Sequence, residues 1–290
     1  MKEVPAEIKD DVKGVVHAAY NDILHPSMQL VGKSLGSTLE FFLTPFAGLQ
    51  FVNDKVKANL QHRLQQYSDK LQQIPQEKQC EVHPELGVPI LQRLSYTTND
   101  DVAELFLELL ASASNLDKVG LAHPSFISII DRLSPDEARI LVYLKNTSDF
   151  RIPYVHIKAR RKDKPFSEMN IDFKNLDFKN FDFGQIDTSF IDVLKWVTIV
   201  PLKVSLDFKD NIILYWANLI SCGLLKDEYG FSLNHVVEQY EEIEKCIKLD
   251  EIKQMYASNE YSVVETERCF FSTTGLGKQF LQACIKDSNR

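Results

Sequence analysis

Thr97-Thr-Asn-Asp-Asp-Val-Ala-Glu-Leu-Phe-Leu-Glu-Leu-Leu-Ala-Ser-Ala-Ser114 is the stretch on which the fold turns. It opens with a turn-rich cluster, Thr97 to Asp100, in which Thr98 and Asp101 have capping-box spacing, with Asp in place of the preferred Glu or Gln. Val102, Leu105, Phe106, Leu109 and Leu110 then recur at helical steps and form a wide apolar face. The small residues Ala111 to Ser114 follow, and they let a second helix approach closely. The pattern predicts a core helix with other helices around it.

The neighbouring sequence has the same texture. Leu60, Leu64, Tyr67, Leu71 and Ile74 form a helical stripe that ends at Pro75, with glutamines on the other face. Such a stripe packs on its own domain more often than on a partner helix. Ser134-Pro-Asp-Glu137 is the strongest helix start in the chain. Ser caps, Pro suits the first turn, and Glu137 reaches back to the cap amide. Ala138, Leu141 and Leu144 then mark the buried side.

After Asn146 the texture changes. Ile152 to Ile157 reads as a strand with Pro153 near its start or at an edge, and Ile199 to Phe208 as a second strand. Helices are expected over Ile212–Leu225 and Val236–Ile252, a strand over Glu265–Ser272, and a final helix from Thr274 with Leu276, Phe280 and Cys284 on one face. The fold class expected is mainly α with a smaller α+β part. A helical domain would occupy residues 1–133, and a winged-helix-like module with insertions residues 134–290.

Bulk properties narrow the function. The 290 residues are 44% hydrophobic and 26% charged, which suits a folded globular chain. A formal charge of −8 repels phosphate backbones and anionic lipids unless a local basic patch overrides it. Five cysteines without C-x-x-C spacing read as reduced thiols of a cytoplasmic protein. The polar N-terminus lacks a signal-peptide core, and the apolar Leu39–Val52 stretch is too short for a span of about 20 residues. That stretch should be buried in the resting protein.

The common chemical motifs fail on inspection. Gly32-Lys33-Ser34 ends like a phosphate-binding loop, but Ser27 stands where the first glycine belongs. Gly275-Leu-Gly277 begins like a dinucleotide fingerprint, but Phe280 replaces the last glycine. The seven histidines include no pair three or four residues apart, so no helical metal pair forms, and His25, His83 and His123 precede prolines as turn residues or N-caps. We therefore assign no catalytic residue, no cofactor and no metal.

One region stands out instead. Lys158, Arg160, Arg161, Lys162 and Lys164 form a basic segment, read as a loop, in an acidic chain. A five-residue repeat follows within about 165–195: Ile171-Asp-Phe-Lys-Asn, Leu176-Asp-Phe-Lys-Asn and Phe181-Asp-Phe-Gly-Gln. It sets Phe173, Phe178 and Phe183 at regular intervals beside Asp172, Asp177 and Asp182. Spaced aromatics next to a charge cluster have the look of a recognition surface. The competing reading packs the three rings inward.

Three stretches resemble the abortive infection alpha family of bacterial proteins. They are Pro89 to Ala113, His123 to Leu141, and the pair Asn218–Leu225 with Thr274–Cys284. Val31 through Leu49 fits the family's looser N-terminal pattern, and the repeat lies outside the resemblance. The resemblance implies a role in bacteriophage resistance, in which an infected cell stops growing or dies before phage spreads. It supplies no catalytic residue. The expected partner is a protein or a phage component, with self-association a further option. Nucleic acid is disfavoured by net charge. The alternatives are peripheral membrane contact by residues 39–52 on activation, a nucleic-acid-binding regulator and, last, an unrecognised enzyme.

Overall fold

The computed structural model describes residues 29–43, 54–147, 149–161, 190–257 and 261–286. Contacts group the chain into two compact units: Met1–Thr147 with Cys222–Leu224 and Thr274–Arg290, and Ser148–Ser221 with Leu225–Thr273. The expected boundary between residues 133 and 134 lies inside the first of these.

The first unit is helical where it is described. Its helices are α1 (Gln29–Leu43), α2 (Asp54–Leu71), α3 (Pro84–Tyr96), α4 (Asp100–Ala113), α5 (Ser125–Ile130) and α6 (Pro135–Lys145). The central helix is α4, which touches α2, α3, α5 and α6. Its burial exceeds the expected face: Ala103 and Leu107 are buried together with Leu105, Phe106, Leu109 and Leu110, whereas Val102 is only half-buried. The cap of α4 is Asn99 rather than Thr98, because the Asn99 side chain accepts from the Val102 amide at 3.1 Å. The capping box of α6 is complete. Ser134 accepts from the Glu137 amide at 3.3 Å, and the Glu137 carboxylate accepts from the Ser134 amide at 2.7 Å.

Polar bonds fix how these helices meet. The Tyr67 hydroxyl of α2 lies fully buried between Ser34 of α1, at 2.8 Å, and Ser114 beyond α4. Gly32-Lys33-Ser34 is thus part of a packed helix, not a phosphate loop. Buried Arg63 of α2 donates to Asp100 at 2.8 Å and to the carbonyls of Thr97 and Thr98, tying the α3–α4 turn to α2. Gly87 of α3 permits close approach to α1, since a Cβ there would fall 2.4 Å from the Thr38 methyl. The stripe Leu60, Leu64, Tyr67 and Leu71 is buried within the chain, and α2 stops at Leu71, ahead of Pro75. Leu39 and Phe42 are buried as expected, and residues 44–53 lie outside the described residues.

The second unit is built on an antiparallel four-stranded sheet of order β2-β1-β4-β3. Its elements are β1 (Arg151–Arg161), β2 (Phe190–Thr198), the short helix α7 (Val200–Lys203), α8 (Ile212–Ser221), β3 (Leu225–Glu228), α9 (Val237–Cys246), α10 (Leu249–Ala257) and β4 (Tyr261–Thr273). Val155 and Ile157 of β1 join Tyr240 and Ile243 of α9 and Leu249 of α10 in one apolar cluster. The acidic helix expected over 236–252 is broken in two where Lys248 takes a left-handed φ of 52°.

Two strand readings shift. The expected strand over 199–208 is not one; β2 ends at Thr198, and Pro201 falls in the first turn of α7, where its missing N–H costs nothing. The basic segment begins as strand rather than loop, because β1 continues to Arg161 opposite β4. The last helix, α11 (Gly275–Cys284), belongs to the first unit and packs on α4. Thr274 caps it, and Phe280 and Cys284 are buried, but Leu276 is 39% exposed.

Leu105→Ala and Leu109→Ala should each cost about 2–5 kcal/mol in urea unfolding, as expected for cavities in an enclosed helix. Ser134→Ala should cost about 1 kcal/mol through the lost cap. Tyr67→Phe carries a pH signature. Burial pushes the Tyr67 hydroxyl up to about 12 from 10.0, against the smaller opposing effect of its two serine bonds. Its contribution is therefore intact below about pH 10 and lost as the pH climbs toward 12. Tyr67→Phe should be about 1 kcal/mol less stable at neutral pH and should lose less stability than the parent across that alkaline window.

Candidate functional site

Alternation along β1 sends Val155, Ile157 and Ala159 to the helix-covered face, and Tyr154, His156, Lys158 and Arg160 to the other. Across β4, Cys269 lies opposite Tyr154 and Glu267 opposite His156. This second face carries buried His156 and Tyr154 among half-buried Lys158, Asp227 and Glu267.

Asp227 of β3 is its anchor. It accepts from the Tyr154 hydroxyl at 2.5 Å and from the Trp196 indole N–H at 3.0 Å. Trp196 reaches it through an irregular stretch of backbone. β2 carries an extra residue opposite His156 and another beside Ile157, and Trp196 itself has a left-handed φ of 55°. A bulky residue held there stores strain, a feature that clusters at functional sites. Phe271 closes the aromatic end, 4.6 Å from Tyr154, 5.8 Å from Trp196 and 5.1 Å from Trp216 of α8, measured between ring centroids.

The other end is more polar. His156 is 4% exposed and its Nε2 lies 2.8 Å from an Asp192 carboxylate oxygen. Its Nδ1 is buried with no hydrogen-bonding partner, and its ring meets Tyr229 edge-on at 5.7 Å. The Lys158 ammonium bonds the Tyr229 hydroxyl and lies 3.4 Å from the Glu267 carboxylate.

These surroundings hold protons in place. Burial, followed by the bond to Asp227, raises Tyr154 far above an ordinary phenol. Tyr229 is raised first by burial and then by Glu267, and burial raises the Cys269 thiol. Burial opposes the charge on Lys158, but Tyr229 and Glu267 outweigh it and its net shift is upward. At neutral pH the face therefore presents neutral phenols, a protonated thiol and a fixed ammonium. That is a preset pattern of donors and charges, suited to recognition.

Of the residues singled out from sequence, Lys158 and Arg160 lie on this face of β1, and Arg161 ends the strand opposite Tyr261. Lys158 is already engaged within the unit, and Arg160 is half-buried. Lys162, Lys164, Phe173, Phe178 and Phe183 fall outside the described residues. Sequence reasoning did not single out His156, Asp192, Trp196, Asp227, Tyr229 and Glu267. The signal for His156 was present, because Tyr154, His156 and Lys158 alternate with Val155, Ile157 and Ala159. The others come from distant strands and, for Tyr229, from the turn after β3. His83 and His123 do serve local backbone amides, as expected. Among the described residues, no group of three or more His, Cys, Asp or Glu is placed to hold a metal, and no helix is long and apolar enough to cross a membrane.

Asp227→Ala should cost about 1–3 kcal/mol by stranding the buried Tyr154 hydroxyl and the half-buried Trp196 indole N–H. Asp227→Asn should cost less, since its amide oxygen still accepts. Unfolding followed by tryptophan fluorescence measures both.

The family model described as abortive infection alpha matches residues 55–284. No curated protein matches the chain. A solved structure of an uncharacterized protein from the hydrocarbon-degrading marine bacterium Alcanivorax borkumensis SK2 aligns at 16% identity and a TM-score of 0.34, covering 56% of this chain and 96% of that one.

Proposed function

The chain belongs to the abortive infection alpha family, and from that premise we propose that it is a bacterial antiphage protein that recognises a protein or phage component and leads to growth arrest of the infected cell. The observation that carries the recognition reading is the position of the insertion. β1 and β2 pair out to Arg160 opposite Phe190, so residues 162–189, with the five-residue repeat, join the two strands at the end of a hairpin. Hairpin ends accept insertions without disturbing the sheet behind them, and they are common carriers of binding residues. Arg160 lies near that end, and Arg161, Lys162, Lys164, Phe173, Phe178 and Phe183 follow it in sequence.

The nucleic-acid alternative has less support. The formal charge of −8 disfavours it, and α8 (Ile212–Ser221) contains no Lys or Arg. A helix without cations gains nothing from phosphate contacts. The membrane alternative rests on residues 39–52, of which Leu39 and Phe42 are buried in the resting chain.

The test replaces residues 162–189 with Asn-Gly. Arg161-Asn-Gly then forms a three-residue loop with glycine at its left-handed position. The variant should keep the parent's circular dichroism and urea midpoint while plaque counts rise to those on cells lacking the gene. A folded and fully protective variant overturns the recognition reading. A parent chain that protects against no phage overturns the antiphage reading itself.

A further inference from the structure

The first unit holds a concavity built from charged and polar side chains. A cleft of about 380 Å³ opens where the C-terminal halves of α2 and α4 meet the chain that follows α11. Lys70, Glu108, Asn115, Lys118 and Lys286 line it, with Ile74 as an apolar wall. A volume of this size accepts a small ligand. Ser112, also in the lining, is buried and donates to the Ala283 carbonyl at 2.8 Å, which fixes α4 against α11 behind the cleft. Lys70 and Glu108 are its enclosed charges, with side chains 13% and 14% exposed and 2.6 Å apart. Glu104 takes a second bond from Lys70 at 2.5 Å. Burial opposes the charge on Lys70, but the two carboxylates outweigh it and its net shift is upward.

We propose that this cleft binds a small phosphorylated molecule, up to a nucleotide in size. Its lining sets three ammonium groups against one carboxylate, in a chain whose formal charge is −8. Lys70 is engaged by Glu104 and Glu108, so the ligand's share comes from half-buried Lys118, in the turn after α4, and exposed Lys286, after α11. Asn115 turns its amide oxygen to the Asp117 N–H at 3.0 Å, which leaves its NH₂ as the donor it can offer. Carbonyls at the end of α2, which would repel an anion, are taken up: those of Leu71 and Ile74 accept from the Gln79 side-chain amide at 3.0 and 2.9 Å. A phosphate monoester carries nearly two negative charges at neutral pH and three acceptor oxygens, so one group can answer both lysines and the amide. A neutral ligand would desolvate the same ammonium groups without compensation.

Isothermal titration calorimetry on the full chain tests the proposal, with pyrophosphate, adenosine monophosphate and adenosine as probes. At least one of the two phosphorylated probes should bind saturably, more weakly as sodium chloride is raised, and adenosine should not bind. Lys286→Glu puts a like charge against the phosphate and should weaken that binding at least about tenfold, with unchanged circular dichroism. Lys118→Glu is the second variant should Lys286→Glu misfold, and it should weaken binding in the same way. Absence of saturable binding by both phosphorylated probes at millimolar concentration overturns the proposal. So does adenosine that binds as tightly as its monophosphate, or phosphate binding that the folded variants leave intact. Because residues 162–189 are untouched, these outcomes are separate from those of the insertion deletion.

Discussion

The first unit depends on the enclosure of α4. Ala103, Leu105, Phe106, Leu107, Leu109 and Leu110 are all buried, which no single packing partner can accomplish. α2, α3, α5, α6 and α11 each supply part of the cover. Their arrival from both early and late sequence follows from this one demand, since a helix apolar over most of its circumference must be surrounded. The polar bonds then select one arrangement among those the apolar surfaces allow. Tyr67 links α1 and α2 to the end of α4, and Ser112 of α4 donates to the Ala283 carbonyl of α11 at 2.8 Å. Each satisfies a buried group that would be costly in any other packing.

The second unit separates two jobs on the two faces of one sheet. The face toward α9 and α10 is ordinary apolar core. The opposite face gathers Asp227, Tyr154, Trp196, His156 and Lys158 at hydrogen-bonding distances, and accepts bulges in β2 and a left-handed tryptophan to do so. Strain and desolvated polar groups both cost stability, so their coincidence marks a face that does more than fill space. Tyr154, Tyr229, Cys269 and Lys158 on it are all shifted toward keeping their protons.

The proposed recognition end relies on local positive charge in an acidic chain, and so does the proposed phosphate cleft of the first unit.

Periodicity and end chemistry by themselves determined most of the helical unit. The 3.6-residue patterns located α2, α4 and α6, and Ser134 and Glu137 specified a cap because both partners lie within one turn. Local chemistry was also enough for the strand at Ile152–Ile157 and the helix from Thr274. Tertiary structure decided what depends on distant partners. Thr98 and Asn99 are both competent caps, and only the observed register of α4 chose Asn99. Residues 199–208 are as strand-like as Phe190–Thr198, but only the latter found β1 to pair with. Lys158 looked like free loop charge until β1 placed it beside Tyr229 and Glu267, 71 and 109 residues away in sequence. Asp227 reads as one acidic residue among many, and it became an anchor only when β3 and β2 brought it to Tyr154 and Trp196. Helical caps and stripes close over a few residues and are written in the chain, whereas a sheet face is assembled from strands whose pairing no local pattern encodes.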